Sequence, residues 1–176
     1  MTRTPLIFLA LVALVTSGCA ARQSRDQYQD RVTRAVEVRT AVSDSLARHQ
    51  LAGQVAYDQA SERVAGAMDE LDADPPPRGL GDAHSRMLDG LDGLQALLGS
   101  LGRCEALSKA SQQDARACRQ SISQDVYDEI RNDFTEADTI YRHEGLSLPG
   151  LGAGGSTAGT VDRGDVLDEP TGSTEG

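Results

Sequence analysis

Met87, Leu91, Leu94, Leu98 and Leu101 recur at intervals of four, three, four and three residues, with Leu88 and Leu97 alongside. That spacing lays the apolar side chains on one face of an α-helix, whereas a strand alternates its faces with a period of two. The stripe is the most apolar stretch of the chain after its N-terminus, so the helix that carries it is expected to be the central element of a helical core. Asp82 reads as its N-cap. Gly90, Gly93, Gly99 and Gly102 interrupt it, each costing about 1 kcal/mol relative to Ala in a helix interior. The composition is Gly-rich, and the four glycines are read as a reflection of that composition.

The same periodicity recurs on both sides. Tyr28, Val32, Ala35, Val38, Val42 and Leu46 form one helical face, opposite Asp30, Arg34, Glu37 and Asp44. Val55, Ala60, Val64, Ala67, Met68 and Leu71 form a second, with a break expected near residues 49–53. Asp74-Pro75-Pro76-Pro77-Arg78-Gly79 ends that segment, because proline can neither donate to the helix ladder nor follow a helical residue without a clash. A fourth helix is expected from about Ser111, with Ile122, Val126, Ile130, Phe134, Ala137 and Tyr141 on its apolar side and Gly145 and Pro149 closing it. The expected fold is all-α: an antiparallel bundle of three to four helices over residues 25–144. From residue 145 to 176 the chain turns to Gly, Ser and Thr with the charges Asp162, Arg163, Asp165, Asp168, Glu169 and Glu175, and reads as a disordered acidic tail.

Cys104 and Cys118 flank the turn expected at residues 108–111 and lie equally far from residue 111. Equidistant positions face one another in an antiparallel hairpin, so the pair is expected to form a disulfide that staples the third and fourth helices. A bridge closing a loop of this size stabilises by roughly 3 kcal/mol on the loop-entropy model.

Charge and composition exclude several classes of function. With 27 Asp+Glu against 17 Lys+Arg, the net charge is −10, too acidic for a nucleic-acid partner. Four Tyr, two Phe and no Trp leave little for a stacked-ring ligand pocket. The basic residues are arginines apart from Lys109, a usage that fits a GC-rich genome rather than a binding site.

The N-terminus supplies the address. Arg3 precedes the uncharged run Pro5–Val15, which falls well short of the roughly 20 residues needed to span a hydrocarbon core. Small residues and then a cysteine follow it, and the whole reads as an export signal. Val15-Thr16-Ser17-Gly18-Cys19 resembles the lipobox of bacterial lipoproteins, with Thr16 where Leu is commonest. The resemblance covers residues 1–21 only. It implies cleavage between Gly18 and Cys19, diacylglycerol on the Cys19 thiol, and a short tether over 19–24. It also implies an extracytoplasmic chain anchored to the cell membrane or, in a two-membrane envelope, the outer membrane. Losing residues 1–18 removes Arg3 alone among the charged residues, leaving a domain repelled by anionic lipid and held only by its acyl chains.

The chain carries few residues in catalytic or metal-binding patterns. His49, His84 and His143 occur without the Glu-x-x-His or His-x-x-Glu spacing of helical metal sites, and helix-end positions account for His49 and His143. No Gly-x-Ser-x-Gly elbow, phosphate-cradling glycine loop or Cys-x-x-Cys pair occurs. No catalytic residue, metal or cofactor is therefore expected. The expected function is binding: a lipid-anchored scaffold or adaptor with an envelope protein partner, its oligomeric state open. The alternative is a small-ligand or metal receptor serving a transporter.

Overall fold

The computed structural model describes residues 24–151. Its regular structure is helical throughout: α1 (Arg25–Ala47), α2 (Gln54–Asp72), α3 (Gly81–Leu107), α4 (Gln112–Gln120) and α5 (Gln124–His143). Ser24 opens α1 with a reciprocal cap, its Oγ accepting from Gln27 N at 3.2 Å while Gln27 Oε1 accepts from Ser24 N at 3.4 Å. The break between α1 and α2 falls at 48–53, as the sequence implies. His49 and Gly53 turn the chain there with φ of 52° and 78°.

The long helices run up, down, up and down. Early α1 meets late α2 where Arg34 pairs with Glu70, and early α3 meets late α2 at His84 and Asp72. Arg86 of α3 reaches Asp133 and Glu136 of α5 at 3.0 and 2.9 Å. The central position of α3 follows from its stripe: it packs against both α2 and α5, with Met87, Leu91, Leu94 and Leu98 at most 4% exposed. Leu101 is half-buried at the end of the stripe.

Three of the α3 glycines do more than reflect composition. A Cβ on Gly90 would stand 3.0 Å from the Phe134 ring, one on Gly93 would stand 2.8 Å from Ile130 Cγ1, and one on Gly102 would stand 3.1 Å from Tyr57 Cβ. Gly90 and Gly93 let α5 approach on one side, and Gly102 admits α2 on the other. Gly99 is unconstrained by comparison, since its nearest neighbour is the Arg103 side chain at 3.7 Å.

Three boundaries differ from the sequence reading. The expected fourth helix is two, because Ser111 caps α4 through Asp114 N and Ser123 starts α5 through Asp125 N, leaving Ser121–Ser123 as a joint. α3 begins at Gly81 after Leu80, which is buried and closes a turn on Pro77 O at 3.1 Å; Asp82 sits in the first turn and is not the cap. Most consequential, the fold does not stop at residue 144. Leu146, Leu148 and Leu151 are 2–4% exposed and belong to the core, so the first seven residues assigned to the tail are a packed strap. Apolar burial outweighs the local Gly/Ser content there. Residues 152–176, the rest of the expected tail, lie outside the described residues, as do residues 1–23, which hold the expected signal peptide and most of the expected tether.

The strap also turns the buried face of α1. Val36 and Arg39 are buried while Val38, from the expected stripe, is only half-covered. The strap lies against that side of the helix: a Cβ on Gly150, at φ +93°, would stand 3.7 Å from Val36 Cγ1 and Thr40 Oγ1. Val55, counted on the α2 stripe, is 67% exposed.

Candidate functional site

The inner side of α1, where it meets α2, α3 and α5, is a seam that gathers the buried polar groups of the described residues. At its lower end Tyr28 of α1 and Tyr141 of α5 are fully buried, their hydroxyls 2.9 Å apart. The Tyr28 hydroxyl also lies 3.1 Å from His84 Nδ1, and His84 Nε2 stands 3.6 Å from the exposed carboxylate of Asp72. The carboxylate favours a proton on Nε2, which leaves Nδ1 as acceptor. Tyr28 then donates to His84 and Tyr141 donates to Tyr28. Nearby, the buried Arg31 reaches Glu70 O at 3.2 Å and Asp74 at 3.1 Å.

Burial sets the protonation of this chain. Desolvation raises Tyr28 to about 12 despite the bond from Tyr141 and the charge of Arg31. It raises Tyr141 further, reinforced by Tyr28. Desolvation lowers His84 below its ordinary value, against the opposing pull of Asp72. All three groups are therefore neutral at pH 7. The arrangement orients and locks the helices, and it offers no phenolate nucleophile.

Higher along the seam, Arg39 lies 4.5 Å over the Phe134 ring and donates from Nη1 to Gly150 O at 3.1 Å. Asp138 is buried beside it; its Oδ2 accepts from Arg142 Nε at 2.9 Å, while Oδ1 is buried without a hydrogen-bond partner. Desolvation lowers the Arg39 pKa, with Asp138 opposing. Two side-chain bonds to backbone hold the chain where it enters the strap: Arg25 Nη2 to Glu144 O at 2.6 Å and Gln29 Nε2 to Ser147 O at 3.4 Å.

Two clefts lie away from the seam. One of about 410 Å³ between α3 and α5 is bordered by Asp89, Asp92, Glu129 and Asp133 with Arg86. The other, of about 210 Å³, lies at the α1–α2 corner beside His49, Tyr57, Glu105 and Arg119. Both open to solvent.

The residues singled out by sequence fall as follows. Cys104 and Cys118 are disulfide-bonded with Cα atoms 5.3 Å apart, and the adjacent Glu105 and Arg119 pair at 3.1 Å, so two cross-links tie α4 to α3. Gly18 and Cys19 lie outside the described residues. His49 is exposed at the α1–α2 corner and His143 is exposed beside Glu144, whereas His84 is buried in the tyrosine network. No group of three or more His, Cys, Asp or Glu among the described residues is placed to hold a metal ion. Sequence reasoning missed the seam. Its one readable signal was Leu146-x-Leu148-x-x-Leu151 directly after the α5 stop. Comparison of the chain with protein-family models, curated proteins and solved structures returns no match.

Proposed function

We propose that the chain is a lipid-anchored extracytoplasmic binding or scaffold protein of the bacterial cell envelope, acting through its helical bundle and not through catalysis. The observation that carries this reading is Val15-Thr16-Ser17-Gly18-Cys19 at the end of an apolar run too short to span a bilayer. The Cys104–Cys118 disulfide supports it, since such bridges persist in oxidising compartments.

The short tether gives the reading a geometry. Cys19 is five residues ahead of Ser24, where the capped bundle begins. An extended chain spans at most about 3.6 Å per residue, so the bundle base stands within about 18 Å of the lipid-bearing sulfur. The base consists of the start of α1, the end of α2, the start of α3 and the end of α5. The tyrosine network then faces the membrane side, and the corner around His49 and the disulfide faces away. A small-ligand or metal receptor is the other class; the open, polar-edged clefts give it less support than the filled core gives a scaffold.

Fractionation of cells carrying the full chain tests the proposal. The wild type is expected in the membrane fraction and labelled by an alkyne palmitate analogue. Cys19→Ala is expected to lose the label and leave that fraction. Membrane retention of the unlabelled variant would sink the reading.

A further inference from the structure

α4 is the least rooted helix of the bundle. It has 9 residues, packs chiefly on the end of α3, and buries Ala115 alone. A helix of that length does not persist unaided, since isolated helices are marginal below about 12–15 residues. It is held to α3 by the Cys104–Cys118 bridge and by the pair of Arg119 with Glu105, whose side chains are 26% and 24% exposed. That pair is imperfect, because Arg119 Nε is buried without a hydrogen-bond partner. The two cysteines are unequally shielded. Cys104 lies in the core-facing side of α3 at 2% exposed, whereas Cys118, on α4, is only half-buried. Arg119 also forms one wall of the corner cleft, opposite Leu46 and Leu51 and beside Tyr57. The rest of the bundle has its own supports: α5 starts from the Ser123 cap and packs closely on α3 at Gly90 and Gly93.

We infer that the Cys104–Cys118 bridge is a thiol-cleavable clip: an external dithiol reduces it in the folded protein through Cys118, releasing α4 and opening the corner cleft while α1, α2, α3 and α5 stay folded. Access selects the sulfur that is attacked. A thiolate of the dithiol bonds to Cys118 Sγ, the bond between the two cysteines breaks, and Cys104 leaves as a thiolate and takes up a proton. The second thiol of the reductant, deprotonated in turn, displaces Cys118, which also leaves as a thiolate and is protonated. The protein disulfide thus becomes two thiols, and the dithiol becomes a disulfide. The inference goes beyond the binding reading, and its test on purified protein is independent of the lipid anchor.

The probe is dithiothreitol, applied to the full chain carrying Cys19→Ala, whose remaining cysteines are Cys104 and Cys118. Reduction, followed by alkylation and mass spectrometry, is expected at a rate proportional to dithiothreitol and nearly independent of urea below the unfolding transition. In the reduced protein, protection of the Ala115, Ala117 and Cys118 amides should fall at least about tenfold while that of Leu91, Leu94 and Leu98 is kept. Adding Cys104→Ala and Cys118→Ala together should reproduce that exchange pattern with no reductant present. Glutathione, a monothiol, should be trapped on Cys118 and leave Cys104 to be alkylated. Reduction that accelerates with urea as steeply as global unfolding would overturn the inference, because the bridge would then be cleaved only in the unfolded chain. So would α4 amides that exchange alike in both states, α3 amides that lose protection together with α4, or glutathione found on Cys104.

Discussion

Replacing Tyr28 by Phe removes one oxygen and almost no volume, yet it should be among the costliest conservative changes in the bundle. The Tyr28 hydroxyl stands between Tyr141, at 2.9 Å, and His84, at 3.1 Å, in a part of the core where both tyrosines are fully buried. Without it the Tyr141 hydroxyl and His84 Nδ1 both lose their partner. An orphaned buried polar group costs about 1–3 kcal/mol, so the two together give a loss of about 2–6 kcal/mol. Tyr141→Phe removes only the outer member and leaves the Tyr28–His84 bond in place, for about 1 kcal/mol. The double variant deletes the orphan that the first change creates, so its cost should fall short of the sum by about 1 kcal/mol or more. Urea unfolding of the three variants and wild type, followed by far-UV circular dichroism, measures all four corners of the cycle. At about 4 °C per kcal/mol, Tyr28→Phe should also lower Tm by about 8–24 °C. Equal losses for the two single variants, or strict additivity, would refute the linear chain of hydrogen bonds.

Further outcomes follow from the same contacts. Burial holds the His84 pKa below its unfolded value, so the unfolded state binds more protons and stability should fall as pH drops below about 6.5; His84→Gln should flatten that part of a pH series of unfolding midpoints. Converting both Cys104 and Cys118 to Ala, or reducing the bridge, should cost about 3 kcal/mol in chemical denaturation, less if the Glu105–Arg119 pair holds α4 in place. Gly93→Ala drives a Cβ toward Ile130 and should destabilise by about 1–3 kcal/mol, while Gly66→Ala, in open space on α2, should stabilise by about 0.5–1 kcal/mol; thermal melts separate the signs.

The helices were legible because their signal is local. Met87, Leu91, Leu94 and Leu98 announce a helix by spacing alone, and Ser111, Pro75 and Gly145 mark ends whose chemistry needs no partner. The cysteine pair was readable for the same reason, since a short antiparallel hairpin relates residues by counting. What escaped notice depends on tertiary neighbours. Nothing local distinguishes Gly93, pressed by Ile130, from Gly99, which has room. His84 reads only as a histidine in the first turn of its helix until Tyr28, 56 positions earlier, is placed against it. The strap was lost by averaging, because the glycines and serines around it diluted three leucines that each find a socket. The joint at Ser121–Ser123 is a further case: the apolar period continues through Ile122 while the caps on either side interrupt the backbone.

Intact mass spectrometry of the chain purified from the membranes of its own cells decides whether the proposed anchor exists. The expected species is a mature protein that begins at Cys19, carries diacylglycerol on that sulfur, and keeps one disulfide between Cys104 and Cys118. A chain that retains residues 1–18, or one that begins at Cys19 with a free thiol, would contradict it.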